Sequence, residues 1–100
     1  MKKVNYNMIC KKADQNLNLI STDEYELDGY RNNPITLGKY IEKGIQIAVF
    51  SKGSKLSRFV GTLIGYRKNV NQDRYVYRLK KVDKQIEWPE GKGYRQEAYI

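Results

Sequence analysis

Residues 59–82 constrain the fold of this chain more than any other segment, because they combine two strand-like runs with a polar turn. The first run, residues 59–66, is apolar with interspersed glycines. In the second run, residues 75–82, apolar or aromatic side chains alternate with basic ones over residues 77–80. Residues 68–74 between them are polar. This arrangement predicts an antiparallel β-hairpin and a fold built around a sheet.

Alternation along the second run assigns its side chains to two faces, because successive residues of a strand point to opposite sides. One face is predicted to carry Tyr75, Tyr77 and Leu79, and the other Val76, Arg78, Lys80 and Val82.

The two glycines of the first run, Gly61 and Gly65, are predicted to share a face with Phe59 and Leu63. Glycine weakens a strand unless the strand bends or another group packs closely against it. The glycines are therefore either bending points of a small barrel or places where another backbone or ring approaches. Both interpretations favour a curved sheet.

The positive charge of the chain is concentrated in residues 51–81, which hold nine basic residues and one acid, a balance of +8. Residues 1–50 carry seven basic and six acidic groups, and residues 82–100 carry three and four, so the remainder is nearly neutral. Aromatic side chains lie among the cations. Cationic strands with interleaved rings are typical of surfaces that neutralise phosphates and stack on bases.

We therefore predict a non-catalytic nucleic-acid-binding module, for DNA or RNA, that uses no cofactor and no metal. A contiguous cationic strip on the hairpin would hold the backbone, and tyrosine rings would stack on bases. The loop of residues 51–58 is predicted to be a mobile cationic flap with three hydroxyls, and it lacks the pattern of a Walker loop. The predicted binding residues are Lys52, Lys55, Arg58, Tyr66, Arg67, Lys68, Arg74, Tyr75, Tyr77, Arg78, Lys80 and Lys81.

Three other interpretations of these charges stay open. The hairpin could be a solvated outer face whose lysines protect a sheet edge against aggregation. It could belong to a phage or mobile-element inhibitor that blocks a host enzyme acting on nucleic acid. The acids could hold Mg²⁺ for a nuclease, or could instead form a solvated loop or pair internally with the basic surface. The acids concerned are Asp23, Glu24, Glu26 and Asp28.

The other segments predict short elements around this hairpin. Residues 6–10 and 17–21 indicate an opening hairpin, and residues 23–28 an alternating strand or a loop. Residues 36–44 predict a helix that begins with an N-cap and ends at Gly44. Residues 45–50 predict a central strand, and residues 94–100 a short edge strand. Trp88 is assigned to the core or its rim, with a base-stacking platform as the alternative, and Cys10 is assigned to a buried position.

Length and composition exclude several classes of site. One hundred residues predict a single β-rich domain, residues 1–100. A single cysteine excludes an internal disulfide, and the lack of histidine excludes a Cys/His zinc site and a histidine-based triad. No stretch approaches the roughly 18 apolar residues of a membrane span, so we predict a cytoplasmic protein.

The order of a short helix with terminal glycine, then residues 45–50, then residues 59–63 with their Val-Gly pair, resembles the PUA-like barrels. That resemblance implies a small barrel and a ligand such as RNA or a modified nucleobase. The small, basic, tyrosine-rich, histidine-free character is also similar to accessory proteins of phages and mobile elements. The predicted fold is mainly β (α+β), a small curved antiparallel sheet or barrel of about five to six strands with one short helix.

Overall fold

The computed structural model describes residues 8–12, 17–30, 33–51, 53–69, 74–88 and 97–99. Within them lie seven strands and one helix: β1 (Met8–Lys12), β2 (Leu17–Leu19), β3 (Glu24–Tyr30), α1 (Pro34–Lys43), β4 (Gln46–Phe50), β5 (Phe59–Lys68), β6 (Tyr75–Lys81) and β7 (Glu97–Tyr99).

All seven strands belong to one sheet, in the order β2-β3-β6-β5-β4-β1-β7. Five of the six neighbouring pairs are antiparallel and one, β1 with β4, is parallel. The sheet is curled, which confirms the predicted mainly β fold with a curved sheet and a short helix. The described sheet has seven strands where five to six were predicted.

The predicted hairpin of β5 and β6, here called the basic hairpin, is confirmed and occupies the centre of the sheet. Strand β4 flanks it on one side and β3 on the other. The alternating interpretation of residues 23–28 is also confirmed, because β3 pairs with β6. This placement brings the acidic residues of β3 beside the cations of β6.

One face of the sheet, here called the helix face, packs against α1 through the larger core cluster. Leu37 of the helix is buried there together with Leu63 of β5 and Leu79 of β6. The alternation predicted for β6 is confirmed on this face, since Tyr77 joins the same cluster and Tyr75 packs against it.

The helix begins four residues after β3 ends, and its N-cap is Asn33 rather than Thr36 as predicted. The Asn33 side-chain oxygen accepts a hydrogen bond of 2.8 Å from the backbone N–H of Thr36, and Pro34 starts the first turn. Proline suits that position because its missing N–H would have no partner in the helix. The predicted end is confirmed, with Gly44 in the left-handed conformation at φ 65°.

The opposite face, here called the far face, carries a second cluster over β1, β4 and β5. Trp88 packs its ring edge-to-face on Phe50, with centroids 5.0 Å apart, and Cys10 is fully buried. Both residues were predicted to be core or core-rim, and both predictions are confirmed. The segment containing Ile86 and Trp88 covers this half of the far face, and leaves the half over β3 and β6 to polar side chains.

The predicted opening hairpin is wrong. Strand β1 pairs in parallel with β4 and antiparallel with β7, whereas β2 pairs with β3 at the other end of the sheet. Burial of Cys10 against Ala48 and Phe50 needs β1 in the interior of the sheet, and this long-range packing overrides a local turn. Part of the predicted first strand, residues 6–7, and the turn residues 13–16 lie outside the described residues.

The tail forms a strand at the sheet edge, as predicted. Strand β7 pairs with β1, while residues 94–96 and 100 of the predicted strand lie outside the described residues. In the described part of the chain, no helix has the length and apolar character that crossing a membrane requires.

Candidate nucleic-acid interface

Five charged side chains lie together on the far face, over β3, β6 and β5. The register places Glu24 opposite Lys80, Glu26 opposite Arg78, and Arg67 opposite Val76. Alternate residues of a strand share a face, so the prediction that Arg78 and Lys80 share a face is confirmed. We call Glu24, Glu26, Arg67, Arg78 and Lys80 the ion-pair surface.

Arg67 joins this surface because of a β-bulge in β5. Leu63 pairs with Leu79, but Gly65 pairs with Arg78, so β5 contains one extra residue, Ile64, at this point. The extra residue reverses the alternation and turns Arg67 to the far face. The prediction that both glycines share the face of Leu63 is therefore wrong for Gly65.

Arg67 and Glu26 form a two-pronged ion pair. The Arg67 Nε donates to Glu26 Oε2 at 3.0 Å, and Nη2 donates to Oε1 at 3.1 Å. The hydrogen bond from Arg67 lowers the pKa of the Glu26 carboxyl, and the charges of Arg67 and Arg78 add to the effect against a smaller opposing effect of burial. Glu26 is therefore ionised at neutral pH.

Arg78 is bound in a similar way by the neighbouring acid. Its Nε and Nη2 both approach Glu24 Oε1, at 2.6 Å each. Two acids thus balance two of the three cations of the ion-pair surface, and its net charge is 3 − 2 = +1. The open alternative that the acids pair internally with the basic surface is confirmed for these two glutamates.

A shallow depression of about 230 Å³ lies at the bulge, bordered by Arg67, Arg78 and Glu26. Val76, which is 3% exposed, and Ile64, which is 40% exposed, supply apolar walls. Gly65 and Tyr66 also line it. Val76 belongs to neither core cluster, so the charged side chains around the depression contribute to its burial.

The predicted stacking tyrosines are on the other side of the sheet. Tyr66 pairs with Tyr77 after the bulge, and its ring contacts that of Tyr75 edge-to-face with centroids 5.6 Å apart. Both rings therefore lie on the helix face, where Lys68 pairs with Tyr75. The rings of Tyr66 and Tyr75 therefore do not share a face with Arg67, Arg78 and Lys80, although Tyr66 also borders the depression.

The assignment of Tyr77 to the binding site is corrected by the structure. Its side chain is fully buried in the core cluster on the helix face, so the ring offers no surface to a base. Its position in the alternation places it with the core residue Leu79, and a tyrosine at the centre of a sheet packs there as an apolar ring.

The other predicted cations are distributed around the basic hairpin. Lys55, Arg58 and Lys81 are exposed where β5 begins and β6 ends, and Lys68 is exposed at the other end. Arg74 is half-buried beside the turn, where its backbone carbonyl accepts from Asn69 N–H. Lys52 lies outside the described residues.

The loop before β5 is anchored, which corrects the prediction of a mobile flap for residues 54–58. The Ser57 N–H donates to the Ile86 carbonyl at 2.8 Å, and the Trp88 N–H donates to the Lys55 carbonyl at 2.7 Å. The Ser57 hydroxyl is buried and accepts from the Ile86 N–H at 2.9 Å. This hydroxyl is therefore not presented to a phosphate.

The acidic residues do not converge in the described part of the structure. Glu24 and Glu26 each face an arginine, Asp23 is exposed, and the side chain of Asp28 is not among those described. Within the described ranges, no group of three or more acids and cysteines is close enough to hold a metal ion.

Sequence reasoning identified the cations but not the depression beside them. Ile64 and Val76 were assigned no role, although the sequence contained one signal for the site, Gly65 within a strand. An isolated strand glycine often marks a bulge, and here that bulge creates both the depression and the position of Arg67.

The chain matches no protein-family model, no curated protein and no solved structure. The resemblance to PUA-like barrels therefore stays a prediction.

Proposed function

We propose that this protein is a non-catalytic nucleic-acid-binding module that holds a phosphate backbone along the basic hairpin. The observation that supports this most is the excess of positive charge. Eight described cations lie on the hairpin and its preceding loop, and two of them, Arg67 and Arg78, form ion pairs with Glu26 and Glu24. The eight cations are Lys55, Arg58, Arg67, Lys68, Arg74, Arg78, Lys80 and Lys81.

The spacing of these cations suits an extended polyanion. Strand β5 has ten residues, which correspond to about 33 Å at roughly 3.3 Å per residue. Lys80, Arg78 and Arg67 follow one another along the far face of the hairpin, whereas Lys68 and Lys81 lie on the helix face, so the predicted contiguous strip is limited to the first three. A backbone that follows the hairpin therefore meets several cations in succession, and its binding releases counterions.

The two glutamates set which cations are available first. Arg67 and Arg78 are held by Glu26 and Glu24, so a phosphate must compete with a carboxylate for each guanidinium. Lys80 lies beside this pair on the same face and is exposed. Lys80 is therefore the cation of the ion-pair surface that contributes most directly to binding.

Association with labelled single-stranded and duplex oligonucleotides, measured by fluorescence anisotropy across a salt series, tests the proposal. We expect the logarithm of the association constant to fall linearly with the logarithm of salt concentration. Lys80→Gln should weaken binding and make the slope shallower by about 1. Lys39→Gln is the matched control, because Lys39 is exposed on α1, on the other face of the sheet.

The proposal is overturned if the wild-type protein does not bind either oligonucleotide at low salt, or if the two lysine variants weaken binding equally. If the wild-type protein binds neither oligonucleotide, the function as an inhibitor of a nucleic-acid-processing enzyme becomes the favoured one. The exposed Tyr66, which lies on the helix face with Lys68, favours that second candidate, since tyrosine side chains are enriched in protein interfaces.

A further inference from the structure

We infer that the depression at the β5 bulge receives one unpaired nucleobase, so that the protein prefers single-stranded over duplex nucleic acid. This inference rests on the proposed function and adds the part of the ligand that the ion-pair surface recognises. Its geometric basis is the conjunction of a recess that has Ile64 in its wall and two oriented guanidinium groups that border it on the far face.

The recess exists because β5 has an extra residue and a glycine at the same point. Beyond the extra residue Ile64, Gly65 faces Arg78 across the strands. A Cβ atom built on Gly65 would meet one neighbour within 4 Å, the Cβ of Arg78 at 3.8 Å. Any larger side chain at this position would extend into the recess, so the glycine keeps it open.

The size of the recess selects a single ring system. Its volume of about 230 Å³ is below the roughly 300–1,000 Å³ of pockets that enclose drug-sized ligands. A recess of this smaller volume can hold one planar base, whereas a base pair is too large for it. Because the recess is open to solvent on the far face, a base can enter while its sugar and phosphate stay at the surface beside Lys80.

The chemistry of the walls also suits a base. The exposed Ile64 offers apolar contact, and the guanidinium groups of Arg67 and Arg78 can stack on a π-face, as arginine does with splayed RNA bases. The ion pairs with Glu26 and Glu24 fix the orientation of these groups before the ligand arrives. Glu26 also offers spare lone pairs to an N–H group of the base, because a carboxylate accepts up to about four hydrogen bonds.

The preference for single strands follows from the state of the bases. In a duplex each base is paired and stacked, so moving one into the recess costs the unstacking energy. In a single strand that cost is smaller. The Tyr66 and Tyr75 rings pack together on the helix face, so a base that enters from the far face contacts Ile64 and the arginines rather than these rings.

A comparison between an intact single-stranded oligonucleotide and an abasic oligomer of equal length and charge tests the inference without any variant. We expect the abasic oligomer to bind at least about fivefold more weakly, the effect of losing one stacked base. We also expect the intact single strand to bind more tightly than duplex. Equal affinity for intact and abasic oligomers would overturn the inference while leaving the proposed function in place.

Gly65→Val tests the recess directly, because the valine side chain would extend into it. The valine should lower affinity for the intact single strand toward that for the abasic oligomer, and leave affinity for the abasic oligomer unchanged. Thr62→Val, on the same strand and face but outside the recess, is the matched control and should have no such effect.

Tyr66→Ala separates the recess from stacking on the tyrosine ring. The difference between intact and abasic oligomers should persist in this variant, and its loss would assign the base contact to Tyr66 instead. Failure of the wild-type protein to bind any of the three oligonucleotides would refute the proposed function, and the inference with it.

Discussion

Arg67 and Glu26 form a two-pronged ion pair although 41 residues separate them and strand β6 lies between their strands. The pair can form only because the bulge at Ile64 turns Arg67 to the far face. An arginine that would otherwise point toward the core is thereby held at the surface by a carboxylate. The same carboxylate competes with any phosphate that approaches the guanidinium.

The competition predicts that removing an acid strengthens nucleic-acid binding. Glu24→Gln should release Arg78 from its ion pair and raise affinity at low salt, with a salt slope steeper by about 1 because one more phosphate contact forms. Binding of the same oligonucleotide across a salt series measures both quantities. Glu42→Gln, an equal charge change on the exposed side of α1, is the control. Equal gains in the two variants would attribute the effect to net charge alone.

The Glu26–Arg67 pair predicts a dependence of stability on acid pH. The lowered pKa of Glu26 means that the pair stabilises the fold above the unfolded-state pKa, for which 4.5 is the reference, and that this contribution is lost as pH falls through the lower folded-state value. The contribution of an exposed pair is below about 1 kcal/mol. The melting temperature of wild type minus that of Glu26→Gln should therefore be positive by a few degrees at pH 7 and should shrink as the pH falls below 4.5. A difference that stays constant with pH would contradict this assignment.

Two glycines should respond oppositely to the same substitution. A Cβ on Gly61 would lie 2.7 Å from the Phe59 ring and 2.9 Å from the Leu79 Cβ. Gly61→Ala would therefore displace the Phe59 ring, which packs on Tyr25 with centroids 4.8 Å apart, and should cost about 1–3 kcal/mol. Gly38→Ala meets nothing within 4 Å in α1, and should stabilise by about 0.5–1 kcal/mol.

Urea denaturation of the two variants checks this prediction. The midpoint should move down for Gly61→Ala and up for Gly38→Ala, with the dependence on urea unchanged. An unchanged urea midpoint for Gly61→Ala would mean that the Phe59 ring is not held over the glycine.

The elements with strong local patterns were predictable from the sequence. The basic hairpin and its alternation are encoded in neighbouring residues, because burial of Tyr77 and Leu79 fixes the face of every other side chain in β6. The helix end at Gly44 is also local, since a left-handed C-cap favours glycine. These features place Arg78 and Lys80 on one surface without any knowledge of the tertiary fold.

The predictions that were wrong concern contacts between residues far apart in sequence. Strand β1 is parallel to β4, and no local turn specifies such a pairing. The bulge reverses the alternation after Leu63, so simple period-two reasoning assigns Arg67 and Tyr66 to the wrong faces. The glycine of the bulge was visible, but the register of β5 against β6 was needed to show which side chains it redirects.

The position of β1 can be tested through Cys10, because the two placements of this strand differ in thiol reactivity. Burial raises the pKa of the Cys10 thiol to about 12 from 9.0, which lowers its thiolate fraction near pH 8 by about a thousandfold, and the thiolate is the reactive form. Alkylation by iodoacetamide at pH 8 should therefore be at least about a hundredfold slower in the native protein than in urea. A native rate close to the unfolded rate would indicate that β1 lies at an exposed edge, as in the local hairpin, and would contradict its packing against Ala48 and Phe50.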